Sequence, residues 1–241
     1  MSPVAPLAQA PEGFFTARDP EELDCVARGG FCPGWIADNW DRYVDPFFQH
    51  VYLTGVAVVI GFAIAFALGL LAHRRRWLNG PLTAFTSILY TIPSIALFLL
   101  LLPITGRGNT TALIALVAYT QLIIFRNVTT GLRQVPSEVV DAAEGMGLTP
   151  MQTLLRVEVP MALPEILAGL RIAASTTVGL ATLAFFAGAG GLGAEIEAQI
   201  TFKSNVVVAG GLAVALAAAL DLAVLVLQKA LMPWRRATVT G

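Results

Sequence analysis

Few residues in this sequence are of the types that do chemistry, and their spacing limits what that chemistry is. The two cysteines, Cys25 and Cys32, stand in LDCVARGGFCPGW without the His or Cys neighbours of a zinc site. No metal is expected, and spacing alone leaves a small disulfide-closed loop and two free thiols both open. Gly188, Gly190 and Gly193 spell G-x-G-x-x-G, the pattern of a dinucleotide-binding turn. The apolar run before it is too long for one strand and no βαβ unit surrounds it, so a turn for close packing or flexing is expected instead. No P-loop occurs anywhere, so the chain has no means of its own to use ATP. Two charges, Arg171 and Asp221, lie inside apolar runs. An ionisable group there is costly unless it finds water or a partner. Residue counting puts both in the same half of a bilayer, so an Arg171–Asp221 pair is one expectation. The other is Arg171 snorkelling to the interface with Asp221 bonded to backbone or water.

The elements that must carry these residues are apolar. The 241 residues are 56% hydrophobic and 13% charged with a mean hydropathy of +0.72, which belongs to an integral membrane protein rather than a soluble domain. A net charge of −1 gives no basic field for nucleic acid. A spanning helix needs about 20 apolar residues. Runs of about 51–72, about 82–102 and about 206–231 meet this. The run 111–125, extended by Asn127 and its neighbours, and the run of about 165–187 complete an expected set of five transmembrane helices in an all-α fold. Pro93 and Pro103 bracket the second run, and Pro93 interrupts its hydrogen bonding, so a kink that shapes a gate or a plain packing feature are both open.

Arginine placement orients the set. Arg74, Arg75 and Arg76 follow the first run, Arg126, Arg133 and Arg156 lie between the third and fourth, and Arg235 and Arg236 follow the fifth. Five runs put all three places on one side, and the other side carries only Arg107 and Lys203 in its short loops. The positive-inside rule therefore puts the N-terminus outside and the C-terminus in the cytoplasm. Arg18, Arg28 and Arg42 in the leading segment oppose this, which long segments tolerate. No cleavable signal is expected in the first fifty residues. Composition divides the chain into a poorly ordered external tail over 1–34, an interfacial segment over 35–50, a five-span domain over 51–232 and a cytoplasmic tail over 233–241. In the interfacial segment Trp35, Trp40, Tyr43, Phe47 and Phe48 are expected at headgroup level.

That orientation makes SEVVDAAEGMGLTPMQTLLRVEVPMALP, residues 137–164, cytoplasmic, within a loop of about 132–162. Ser137 is the expected N-cap of a first helix, Glu138 to Met146, with Gly147 as its left-handed C-terminal cap. Thr149 caps a second helix, with Pro150 at its first position and Gln152 completing a capping box. On the first helix Val139, Ala142, Ala143 and Met146 share a face, and Glu138, Asp141 and Glu144 recur three apart on another. Small alanines permit close approach of another surface, and carboxylates suit a partner's arginines. A solvated or re-entrant connector fits the same pattern.

Asp141-Ala142-Ala143, Gly147 six residues on, and Val157-Glu158-Val159-Pro160 after nine more resemble the "EAA…G…I-x-L-P" loop of ABC importer permeases, with Asp for the usual Glu and Val for Ile and Leu. IPSIALFLLLLP at 92–103, RNVTTGLRQVPSEVVDAAEGMG at 126–147, RVEVPMALPEILAGLRIA at 156–173 and GAGGLG at 188–193 are similar to the branch importing glycine betaine, choline and carnitine. The resemblance covers about residues 40–232. It implies a non-catalytic, multi-pass permease subunit in the bacterial plasma (inner) membrane, N-terminus outside. Its ATPase-coupling residues are then Glu138, Asp141, Ala142, Ala143, Glu144, Gly147, Thr149 and Pro160. The implied partners are a cytoplasmic ABC ATPase dimer, which holds the ATP and Mg, a second permease subunit, identical or homologous, and an external substrate-binding protein. A same-fold permease for methionine or a sulfonate is the alternative, and a secondary transporter a more distant one, disfavoured because no inverted repeat is visible.

Overall fold

The structure, a computed structural model, describes residues 20–232. Arg18, Arg235, Arg236 and the tail 233–241 lie outside them. Every regular element among the described residues is helical. The first long helix, α3 (Val44–Arg74), has 31 residues, about 46 Å at 1.5 Å per residue. It therefore overruns the expected span at both ends, well past the ~30 Å of a hydrocarbon core. The second run is broken: α4 (Asn79–Thr91) and α5 (Ser94–Thr105) meet at 96°. Pro93 is the cause, because it drives Ile92 to extended geometry (ψ 128°) and offers no N–H. The carbonyl that the break strands, that of Ile92, accepts a hydrogen bond from the Tyr119 hydroxyl.

The third helix, α6 (Asn109–Arg133), carries 25 residues where the apolar count gave fifteen. Its polar residues do not end it because they bond to its own turns: Gln121 to Val117 O, Asn127 to Ile123 O and Thr129 to Phe125 O, at 2.8–2.9 Å. Helix α6 is the centre of the bundle, packed on α3 and on α9 (Val159–Ala181). Close approach depends on small residues. A Cβ at Gly61 or Gly69 of α3 would meet Thr120 Oγ1 at 2.0 Å or Val128 Cγ1 at 2.5 Å, and one at Gly169 of α9 would meet the Asn127 Cβ at 2.4 Å. The last helix, α11 (Lys203–Leu231), packs mainly on α9 and leaves most of its side chains uncovered.

Among the described residues three helical segments are long and apolar enough to cross a membrane, and a fourth if α4 and α5 count as one span. The difference from five lies in α9, whose 23 residues include Glu165 and Arg171. It is nonetheless embedded between α3, α6 and α11.

The leading segment departs from its composition. From Pro20 it is folded, with α1 (Pro20–Ala27) and α2 (Pro33–Asp38) joined through a Cys25–Cys32 disulfide. Trp35 and Tyr43 are 2% and 1% exposed inside a cluster with Leu192, Phe202 and Ala209, packed on protein, whereas Trp40 and Phe48 face outward. The aromatic pattern of 35–50 carries no signal of which rings the later helices cover.

Candidate functional site

Helix α7 (Ser137–Gly145) begins with Pro136 as N-cap, and Ser137 provides no side-chain cap. The expectation for Ser137 fails because Pro136 sets the extended geometry one residue earlier. The C-terminus is as expected. Gly147 adopts φ +86°, its N–H reaches Glu144 O at 2.9 Å, and Leu148 N–H reaches Ala143 O at 3.2 Å, which is a Schellman arrangement. After this turn, Thr149 N–H donates to Gln152 Oε1 (2.9 Å) and Gln152 N–H to Thr149 Oγ1 (3.4 Å), the reciprocal box at the start of α8 (Pro150–Thr153).

Helix α8 does not stop. It passes through a π turn, Leu154–Glu158, directly into α9, so one helical path runs from Pro150 to Ala181. Pro160 explains the wide turn: it has no N–H for the ladder and its ring crowds the carbonyl four residues back, which the π geometry moves aside. A push on α8 is therefore delivered to α9 without an intervening loop.

On α7 the face toward the protein is Ala143, 1% exposed, while Glu138, Asp141, Ala142 and Glu144 are exposed. Ala142 thus belongs with the outward face, and Met146 beyond it is 75% exposed. Together with exposed Met151 and Leu155 on the α8 path, this leaves an apolar and acidic surface that nothing among the described residues covers. Behind it a cleft of about 680 Å³ is lined by His73, Arg76, Arg133, Val140, Asp141 and Glu158.

His73, at the end of α3, meets Glu158 at 2.5 Å (Nε2 to Oε2), and Glu158 is 8% exposed. Sequence reasoning missed this contact, because 85 residues separate the two and neither is in an apolar run. It ties the π turn to the end of the first long helix. Glu158→Ala is expected to cost about 1–3 kcal/mol, the range for orphaning a buried hydrogen-bond partner, and Glu158→Gln much less. Thermal unfolding of the purified chain checks this.

Within the bundle Arg171 and Asp221 come together. Arg171 Nε and Nη2 donate to Asp221 Oδ1 and Oδ2, each at 2.8 Å, in the paired fork that a guanidinium makes with a carboxylate. At the opposite end of the bundle, Gly188, Gly190 and Gly191 all have φ between +75° and +84°. Gly193 is the second residue of α10 (Leu192–Ala198) and presses on the backbone of Thr182. Gln49 of α3 donates to Ala189 O at 2.9 Å and holds this turn in place. Gly191 was outside the G-x-G-x-x-G spacing and only its backbone angle marks it. Pro93 lies at the α4–α5 bend, away from this turn in sequence and joined to α6 through Ile92 and Tyr119. Among the described residues no group of three His, Cys, Asp or Glu is placed to hold a metal.

The family model described as "Binding-protein-dependent transport system inner membrane component" matches residues 50–236. The chain is 37% identical over 190 residues to the osmoprotectant import permease protein OsmW of Salmonella typhimurium (76% of this chain, 88% of the relative). It is 35% identical to the glycine betaine/carnitine/choline transport system permease protein OpuCB of Bacillus subtilis (68% and 75%), and 33% identical to the choline transport system permease protein OpuBB of the same organism (83% and 93%). Among solved structures, an inward-facing MetNI methionine ABC transporter aligns with a TM-score of 0.65 at 26% identity, covering 81% of this chain and 95% of that one.

Proposed function

From the premise that this chain belongs to the binding-protein-dependent transport system inner membrane components, we propose that it is the permease subunit of an ATP-driven importer for quaternary ammonium osmoprotectants of the glycine betaine, choline and carnitine type. The relatives' names support the substrate class. The observation that carries the mechanism is the α7–α8 segment: two capped helices with an exposed acidic and apolar surface, continuous with α9 and bonded to α3 through His73 and Glu158.

In this reading the chain crosses the membrane five times, by α3, the bent α4–α5 pair, α6, α9 and α11, with the N-terminus outside. The arginines Arg74, Arg75, Arg76, Arg126, Arg133 and Arg156 then fall on the cytoplasmic side, and the disulfide lies in the compartment where disulfides persist. The domain division follows: residues 35–50 lead into the five-span unit 51–232, whose cytoplasmic segment is about 132–162. A cytoplasmic ATPase dimer, which holds ATP and Mg, docks on Glu138, Asp141, Ala142, Glu144 and Met146. Ala143, Gly147, Thr149 and Pro160 hold the shape of that surface. Two permease subunits enclose the path, and an external binding protein delivers the solute. Closure of the ATPases moves α7 and α8 as a rigid pair and tilts α9 and α3 together, exchanging inward- and outward-facing states. Pro93 and the glycines at 188, 190 and 193 sit where the path bends or opens.

The likeness to the methionine transporter favours methionine as a second reading. The test is uptake in proteoliposomes containing the chain with its ATPase and binding protein, offered choline, glycine betaine, carnitine or methionine. Gly147→Pro cannot hold φ +86°, and Asp141→Lys reverses the docking charge. Each is expected to lower ATP-driven uptake at least about tenfold, the effect of a hot-spot loss above 1.4 kcal/mol, while insertion is kept. Uptake that survives both, or that needs no ATP, removes the importer reading; uptake of methionine alone removes the osmoprotectant one.

A further inference from the structure

The family match begins at residue 50, yet residues 20–43 are folded onto the rest of the chain through a dense set of polar contacts. The first N–H groups of a helix have no partner within the helix. In α11 the first of these, on Lys203, donates to Gly29 O at 3.2 Å, and no side chain of its own N-cap Phe202 assists. The next residue, fully buried Ser204, accepts from Cys32 N–H at 2.7 Å and donates to Gly30 O at 3.2 Å. The disulfide-closed loop is therefore the cap of α11. Its shape is constrained by Gly29, whose φ is +64° and whose missing Cβ would lie 2.9 Å from Thr201 O.

Contacts continue along the segment. Trp35 packs edge-on to Phe202 with ring centres 4.7 Å apart. Tyr43 Oη donates to Asn205 Oδ1 at 2.9 Å, and Asn205 Nδ2 donates to Glu195 O at 2.5 Å. Arg42 Nε pairs with Glu195 Oε2 at 2.6 Å. One short segment thus grips the start of α11 and, at Glu195, the middle of α10, which follows the glycine turn that Gln49 holds.

We propose that residues 20–43, closed by the Cys25–Cys32 disulfide, form an outer clasp that fixes α10 and the glycine turn against the outer end of α3 and so positions the surface that the external binding protein meets. This rests on the outward orientation and importer function proposed above. The disulfide acts by holding Gly29, Gly30 and Cys32 in register with Lys203 and Ser204. Without it the six residues between the cysteines are no longer closed into a loop, and the polar contacts of α10 through Arg42 and Tyr43 lose their support.

The experiment uses the complete transporter in sealed proteoliposomes, treated with a membrane-impermeant phosphine that reaches only the outer face. Maleimide mass tagging counts the thiols released. On reduction, the amides of residues 192–205 are expected to exchange at least about tenfold faster while those of α6 keep their rate, the pattern of a local rather than a global opening. The binding-protein concentration for half-maximal choline uptake is expected to rise several-fold with the ATPase rate in the absence of binding protein unchanged, and reoxidation restores both. Ser204→Ala, which keeps the disulfide, reproduces part of the effect. Unchanged exchange at 192–205 with both thiols free overturns the proposal. So does a uniform loss of protection with a falling basal ATPase rate, which makes the disulfide a general fold support. Untreated vesicles that import none of the offered solutes strike at the importer reading, while the exchange measurement still decides the clasp.

Discussion

Replacing Gly193 with alanine is expected to destabilise the chain by about 4 kcal/mol or more, at the top of the range for a single substitution. The reason is contact, not conformational freedom. A Cβ built on Gly193 would lie 1.7 Å from the carbonyl oxygen of Thr182, 2.5 Å from its carbon and 2.7 Å from its Cα. All three are backbone atoms just after α9, so no rotamer change relieves the clash. Either α10 or the end of α9 must move, and both are pinned, α10 by Glu195 to Arg42 and by its backbone to Asn205, α9 by Val178 O to His50 at 3.1 Å. Gly210 in α11 is the control, since a Cβ there meets nothing within 4 Å in this chain. Gly210→Ala is expected to be neutral or to stabilise by up to about 1 kcal/mol through helix propensity. Thermal unfolding of the purified chain in detergent measures both. Equal melting of the two variants would mean that α10 yields freely and that the turn before it is not rigid.

How far the sequence revealed these features depends on the range of the interaction. Capping is local, so the Thr149, Pro150 and Gln152 box and the left-handed Gly147 were legible from four residues at a time. The long apolar runs were legible because the bilayer sets one length for all of them. Their ends were not, because Gln121, Asn127 and Thr129 read as polar yet are satisfied inside α6. Proline marked the break at Pro93, but the 96° angle also depends on Tyr119 catching the freed carbonyl. Contacts that close over long separations left no local trace: His73 with Glu158, Arg42 with Glu195, and Tyr43 with Asn205. Composition misjudged residues 20–34 for the same reason, since their order comes from a helix end about 170 residues away in the chain. Arg171 and Asp221 were legible as one of two expectations, because an ionisable group inside an apolar run must find water or a partner.

Neutralising either member of that pair is expected to reduce uptake at least about tenfold, because each leaves the other charge without its partner inside an apolar run. The fork is specific to the guanidinium: Nε and Nη2 each meet a different carboxylate oxygen at 2.8 Å. Arg171→Lys, which supplies a point charge without the planar pair of donors, is therefore expected to restore only part of the activity. The two residues stand on α9 and α11, and α9 is the helix that continues from the π turn at Glu158. If the coupling segment moves α9, this pair is what makes α11 follow. Two further variants separate pairing from independent roles. Removing both charges, Arg171→Ala with Asp221→Ala, leaves no orphan and is expected to be milder than either single change. Exchanging them, Arg171→Asp with Asp221→Arg, is expected to recover a measurable share of uptake. Singles that add, with a double worse than either and no recovery on exchange, would show that each charge works alone, and the transmission from α9 to α11 would have to pass through their apolar contact instead.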